Sequence, residues 1–366
     1  MKYSMLNYIN RQPEILQKAF ENKDEFINAY DSIFKKYPIK RVYFVGSGTS
    51  FHVSSLGAMW FNKYLNVEAS AHFPTVFVNE KINKNKVYKN DEILVLATSQ
   101  SGNSTSTIQA IQYAKQLGYV TACLSEDLNS DIAPFCNYMI KMPVEKEMVP
   151  PETQGYTGAL LAMYMGAIYL ANKQNLISDY EDKLEEIKDM ITKYMSRAIS
   201  ISNEWIQKNR YIFSKAHKIS VCGSNFNYIT ALEGALKTGE TMKRVVHGYE
   251  TEEFCHLFDL SFEEEDYLFA ILHDTHNYER NTDIINLVKQ ITNRVFIITN
   301  KITNNSKDCC FDFYVSEDLS PFYYVIPFQM IGAIISEYLG VDTSKYPYDD
   351  LESIAHSENC ILYKKN

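Results

Sequence analysis

Between Thr98 and Thr105 the chain reads Thr-Ser-Gln-Ser-Gly-Asn-Ser-Thr, a cluster of hydroxyls around one glycine. An apolar run over 92–98 leads into it, and a helical pattern begins near Ser104. This is the pattern of a buried strand, a tight turn and a helix N-terminus. Such a turn offers backbone N–H groups without intrahelical partners, and the helix dipole favours an anion there. Ser99, Ser101, Ser104 and Thr105 add hydroxyl donors, and Gln100 adds an amide. The loop lacks the lysine of a GxxxxGK[ST] nucleotide loop. It suits a phosphate monoester carried on a small molecule.

A second group of residues could move protons. The helical segment 231–242 contains Glu233 and Glu240, and the segment 246–256 carries His247, Glu250, Glu252, Glu253 and His256. Glutamate and histidine are common proton carriers near neutral pH. Moving a proton between adjacent carbons of a sugar phosphate needs one carboxylate beside both carbons. It also needs a second group for the ring or carbonyl oxygen. Each residue has a plainer reading. Glu240 could be a solvated helix-end carboxylate, since most glutamates lie at the surface. Glu233 reads as structural, and Glu253 as an orienting group for a histidine or a loop amide. His247 competes with His256 for the ring-opening role. His52 and His72 read as satisfied polar groups, and the acidic run 263–266 as a solvated loop.

These residues must be positioned by alternating strands and helices. A helical region over the first forty residues stops at Pro38. The segment 40–46 reads as a buried strand, followed by a tight turn at 46–50 and a helix to about Leu65. Further strands are expected at 67–72, 93–98, 119–124 and 138–142, with helices to about Leu117 and over 155–172. Strands alternating with long helices imply a parallel sheet covered on both faces. After a charged helical bridge over 179–209, the pattern returns. Segment 218–224 echoes 40–47, segment 266–273 echoes 92–98, and segment 294–299 echoes 119–124. Gly46 and Gly223 stand 177 positions apart, which marks a duplicated domain rather than a solenoid. The domains expected are 1–190, 191–345 and a tail over 346–366, with the last helix at 320–339. The copies differ where the first has its hydroxyl loop. The second has Asp274 and Glu279 there, and these would repel an anion.

A chain of 366 residues accommodates two such domains. Its 46% hydrophobic and 22% charged content is that of a soluble globular protein. A net charge of −9 gives nucleic-acid binding no electrostatic support. No apolar run approaches the roughly 20 residues of a membrane span, and the N-terminus lacks a signal-peptide core. Seven scattered cysteines without a CxxC pair argue against a disulfide framework and a structural zinc site. A cytoplasmic protein is expected. The 27 tyrosines read as packing rather than as a base-stacking surface.

Three segments, 46–52, 98–104 and 231–237, resemble those of the sugar isomerase (SIS) domain. The tandem arrangement over about 25–345 is similar to the isomerase half of glucosamine-6-phosphate synthase. It is also similar to free-standing fructosamine-6-phosphate deglycases and aminosugar-phosphate deaminases. The resemblance implies an α/β fold of two duplicated doubly wound, flavodoxin-like parallel-sheet domains with an N-terminal helical segment. It implies phosphate binding by Ser99, Gln100, Ser101 and Ser104. Thr49 and Ser50 would reach the sugar hydroxyls and phosphate. Glu240 would be the catalytic carboxylate. His256, sixteen residues later, would open the sugar ring across a homodimer interface with shared active sites. The ligand would be a small phosphorylated sugar or amino sugar, with no metal or other cofactor, no nucleic acid and no membrane.

The chain departs from the family pattern in several places. Leu257 and Phe258 stand where relatives have Gly-Pro, Asn103 stands where glutamate is frequent, and Gln154 stands where the synthase has lysine. The C-terminal lysine motif has no counterpart in 344–366. The glutaminase domain and its cysteine nucleophile are missing, so ammonia delivery from glutamine is not expected. The expected activity is deglycation of fructosamine 6-phosphates through an enediol or enolamine. The alternatives are glucosamine-6-phosphate deamination and aldose/ketose isomerisation, or a non-catalytic sugar-phosphate-binding regulator. Without a helix-turn-helix extension or basic arm, DNA-linked regulation is disfavoured.

Overall fold

The structure is a computed structural model that describes residues 3–80, 83–84 and 86–348. Of the expected tail over 346–366, everything from 349 onward lies outside the described residues. The chain forms two compact units. The N-terminal unit is built mainly on Glu14–Glu147 and Gln154–Glu185. The C-terminal unit is built on Glu186–Lys345, with Met148–Thr153 and the residues up to Pro13.

In chain order the elements begin with helices α1 (Met5–Glu21) and α2 (Asp24–Lys36). There follow β1 (Arg41–Val45), α3 (Thr49–Tyr64), β2 (Glu68–His72), α4 (Pro74–Asn79), β3 (Ile93–Thr98), α5 (Thr105–Gln116), β4 (Val120–Ser125), β5 (Tyr138–Lys141) and α6 (Gln154–Lys173). The strands form one parallel sheet of order β2-β1-β3-β4-β5. Strands β3 and β4 are buried along their whole length. That is why β3 is apolar up to its last residue, Thr98, and why the polar residues β4 does carry, Thr121 and Ser125, are small. Edge strand β2 is only half-buried and reads Glu-Ala-Ser-Ala-His.

Helices α7 (Tyr180–Asp189) and α8 (Met195–Ser214) are separated by a π-turn at Met190–Tyr194. The rest comprises β6 (Lys218–Gly223), α9 (Phe226–Met242), β7 (Val245–Glu250), α10 (Thr251–Ser261), β8 (Tyr267–Leu272), α11 (Tyr278–Val288), β9 (Val295–Thr299), β10 (Cys309–Cys310), α12 (Ser320–Tyr324) and α13 (Ile326–Tyr338). These strands form a second parallel sheet of order β10-β9-β8-β6-β7. Read from the other edge, this is the strand order of the first sheet. The duplication expected from the glycine spacing is thus matched in topology.

It is matched in backbone detail too. Gly48, which precedes α3, has φ 57° and ψ −132°. Its counterpart Asn225, which precedes α9, has φ 55° and ψ −126°. Both share a positive-φ conformation with strongly negative ψ that residues bearing a side chain rarely adopt. Strand β7 and helix α4 are elements that the sequence pattern does not announce. Gly248 interrupts β7, and its side chains are all exposed or half-exposed, so no apolar stripe marks it.

Against the expectation that no apolar run approaches the length of a membrane span, the continuous helical stretch Glu317–Tyr338 has 22 residues and a mean hydropathy of 1.3, long and apolar enough to cross one. Its apolar window is 94% buried within the protein, which makes it a core helix.

Candidate functional site

Within the N-terminal unit, the expected anion-binding residues gather at the carboxyl ends of two adjacent strands. Strands β1 and β3 pair with Val45 opposite Ala97. The strand order reverses between them, and crevices at such switch points are where open α/β sheets bind ligands. The turn after β3 carries Ser99, Gln100, Ser101 and Ser104. The turn after β1 leads into α3, with Thr49 and Ser50 as its first residues. Ser54 Oγ donates to Thr98 Oγ1 at 3.1 Å and ties the second turn's helix to the first turn's strand.

The β3–α5 turn is held by its own backbone. Ser99 N–H donates to Leu124 O (3.1 Å), Gly102 N–H to Ser99 O (3.2 Å), and Ile132 N–H to Gly102 O (3.1 Å). Ser125 Oγ donates to Gln100 O at 2.9 Å. Gly102 adopts φ +70°, and a Cβ there would collide with the Ser130 side chain, so glycine is required. Ser104 is the N-cap of α5, yet its hydroxyl makes no capping bond. An anion could therefore take the place of the usual cap. Ser101 and Ser104 are half-exposed, whereas Ser99 is buried. Gln100 Nε2 lies 3.4 Å from Glu126 Oε2. Burial pushes the Glu126 carboxyl up from its ordinary range, against the hydrogen bond from Gln100 and the pull of Lys146 and Lys141. Gln154 opens α6, fully buried, and its Nε2 donates to Glu145 O at 2.6 Å.

In the C-terminal unit, Glu240 stands on the last turn of α9. Gly239 does not end the helix, which runs on to Met242 and closes at Lys243 in the left-handed conformation. Glu240 is exposed on one side and held on the other, where Lys237 Nζ donates to its Oε1 at 2.8 Å. The Lys237 side chain is 4% exposed, and its Nζ lies 3.8 Å from Oε1 of the wholly buried Glu233. Burial alone would lower the pKa of Lys237. The carboxylates of Glu240, Glu233 and Glu152 override it and hold the ammonium above its ordinary pKa. A charge so deep is tolerated because it is paired and hydrogen-bonded. The sequence reading missed Lys237. Its signal was the Glu233–Lys237–Glu240 spacing, which places all three side chains on one helical face.

Because α9 runs back antiparallel to the strands, Glu240 lies at the amino edge of its own sheet. The carboxyl edge of that sheet is filled differently. His273 follows β8 where Ser99 follows β3, and it is buried. Its Nδ1 lies 3.2 Å from the Tyr324 hydroxyl and 3.3 Å from that of Tyr323, and its ring stacks on Tyr314. Burial pulls its pKa down to about 4, against the pull of Asp274. An imidazole packed among tyrosines thus replaces the hydroxyl turn of the first copy. Asp274 is paired with Lys301 at 2.8 Å.

His256 lies exposed on α10, and His247 lies exposed on edge strand β7. Glu250 caps α10, accepting from the N–H groups of Glu252 (2.7 Å) and Glu253 (3.1 Å). Leu260, one turn beyond His256, is 91% exposed.

The SIS domain family model matches residues 37–171 and 212–332, one segment in each sheet region. The chain belongs to the SIS family. This SIS protein is 25% identical over 350 residues to the glutamine–fructose-6-phosphate aminotransferase (isomerizing) of Aquifex aeolicus, covering 94% of the chain and 56% of that enzyme. A Methanocaldococcus jannaschii enzyme of the same name is 26% identical over 346 residues, covering 93% of the chain and 30% of the enzyme. The chain thus spans about half or less of the curated relatives it matches. Among solved structures, a Clostridium difficile protein described as a candidate phosphosugar isomerase superposes with a TM-score of 0.87. It is 25% identical, and the match covers 98% of this SIS chain and 99% of that one.

Proposed function

We propose that the protein acts on a 6-phosphorylated sugar bearing an amine, as a deglycase of fructosamine 6-phosphates. The observation that carries this reading is the Glu240 carboxylate fixed by the buried Lys237 ammonium at 2.8 Å. A solvated helix-end glutamate needs no buried cation to hold it. The phosphate would sit against Ser99, Gln100, Ser101 and Ser104, with Thr49 and Ser50 reaching the phosphate and sugar hydroxyls. His256 would open the ring. Glu240 would take a proton from C1, exchange it with water, and deliver a proton to C2 through an enolamine. The product of that transfer is a C1 imine. Water adds to it, the C–N bond breaks, and the amine leaves together with an aldose 6-phosphate. Lys237 positions the carboxylate and balances its charge throughout.

The names of the curated relatives support a fructose 6-phosphate skeleton and amine chemistry at it. The exposed His256 and Leu260 on one face of α10 support a homodimer in which this histidine serves the partner's site. A panel of fructosamine 6-phosphates, glucosamine 6-phosphate and ketose 6-phosphates tests the reading, with amine release and reducing sugar measured in parallel. The deglycase reading expects both products from fructosamine 6-phosphates. Release of ammonia from glucosamine 6-phosphate alone would make it a deaminase. No turnover across the panel would favour a sugar-phosphate sensor.

A further inference from the structure

We propose that Ser70, His72 and Glu80 form a second catalytic centre in the N-terminal unit, a serine nucleophile with its base and orienting acid that hydrolyses small carboxylic esters. Ser70 Oγ lies 2.7 Å from His72 Nε2, and His72 Nδ1 lies 3.2 Å from Glu80 Oε2. These contacts come in the order that nucleophilic catalysis requires. The hydroxyl meets one ring nitrogen, and the carboxylate holds the other.

The fold makes this arrangement. Ser70 and His72 are two apart on β2, so both point to the same face of the sheet. Glu80 comes from the end of α4, the element that follows. The imidazole is fixed edge-on against Tyr43 (5.6 Å between centroids) and Phe77 (6.4 Å). Because β2 is an edge strand, Ser70 stays half-exposed and within reach of a substrate. Burial pulls the His72 pKa down, against Glu80 and with Arg41, which keeps the ring a neutral base.

Arg41 supplies the remaining part. Its Nη2 donates to Ser70 Oγ at 2.5 Å, and its guanidinium lies over the Tyr43 ring at 4.3 Å. It stands where negative charge would develop during acyl transfer. In the first half-reaction His72 Nε2 takes the Ser70 proton as Oγ attacks the acyl carbon. The oxyanion forms beside Arg41. The ester C–O bond then breaks, and the alcohol leaves with the proton from His72. In the second, His72 takes a proton from water, the hydroxide attacks acyl-Ser70, the carboxylic acid departs, and Ser70 regains its proton. The net reaction is ester plus water to acid plus alcohol. Phe73, next in the chain and 47% exposed, is the nearest apolar surface in sequence for a short acyl chain.

The test uses the full chain with 4-nitrophenyl acetate and butyrate, and a fluorophosphonate reagent whose adduct is mapped by peptide mass spectrometry. The expected result is saturable hydrolysis, an adduct on Ser70, and a loss of at least about 100-fold in Ser70→Ala and His72→Gln. Glu80→Gln should lower kcat and leave KM unchanged, because among the described residues the Glu80 carboxylate pairs with the imidazole. Ser70→Ala should leave sugar-phosphate turnover and thermal unfolding as in the wild type, which separates this proposal from the phosphosugar reading. No hydrolysis by the wild type, no adduct at Ser70, or an unchanged rate in Ser70→Ala would each overturn it.

Discussion

Lys237 is the residue on which the proposed chemistry turns, and its burial makes the claim testable. Lys237→Met removes the ammonium that faces both Glu240 and the buried Glu233. Taking one partner from a buried charge pair typically costs about 3–5 kcal/mol. Urea unfolding should show a loss of that order, and turnover should fall with it. Adding Glu233→Gln to Lys237→Met removes the buried carboxylate. The double variant should recover most of the stability but none of the turnover. Recovery of both would reduce Lys237 to a structural role. His273 allows a second prediction, on pH. Its folded pKa of about 4 lies below the ordinary 6.5, so the unfolded chain binds the proton more readily. Stability is unaffected above the unfolded pKa and is lost as pH falls from about 6.5 to about 4, by about 3 kcal/mol in all. His273→Gln should flatten that part of the stability profile. An unchanged acid slope in the variant would show that His273 is not the group responsible.

At the scale of elements, the β3–α5 turn depends on one backbone conformation. Gly102→Ala places a Cβ at φ +70° and against Ser130. A strain of about 1–3 kcal/mol is expected, and the turn should shift. Binding of phosphorylated ligands, followed by calorimetry, should weaken more than binding of free sugars. Equal losses for both would remove the turn from the phosphate site. This element was legible in the sequence because three signals coincide there: a buried strand without polar breaks, one glycine and a run of hydroxyls. Strand β7 was not, since Gly248 and half-exposed side chains leave no periodicity to read. The pairing of Lys237 was hidden for a different reason. A lysine in a helix looks solvated until tertiary packing buries it. Ser70 and His72 were readable as neighbours on a strand, but Glu80 joins them only because α4 turns back at the end of β2.

At the scale of the molecule, duplication preserved the frame, and the two copies carry different side chains at corresponding places. Both sheets keep one strand order, and both copies keep a positive-φ residue before the first helix of the sheet. The first copy keeps an uncapped hydroxyl turn at its switch point, whereas the second closes that place with His273 and its tyrosines. The second copy carries the Glu240–Lys237 pair instead. If His256 serves a partner's site, mixing inactive Glu240→Gln and His256→Ala chains should restore partial turnover through heterodimers. No recovery would place both residues of each site in one chain. The central claim is proton transfer between C1 and C2 by Glu240. It is tested most directly by NMR of the sugar product formed from a fructosamine 6-phosphate in D2O. The account predicts deuterium at C2 with the wild type, and no exchange with Glu240→Gln although the ligand still binds. Exchange at the wild-type rate in Glu240→Gln would contradict it.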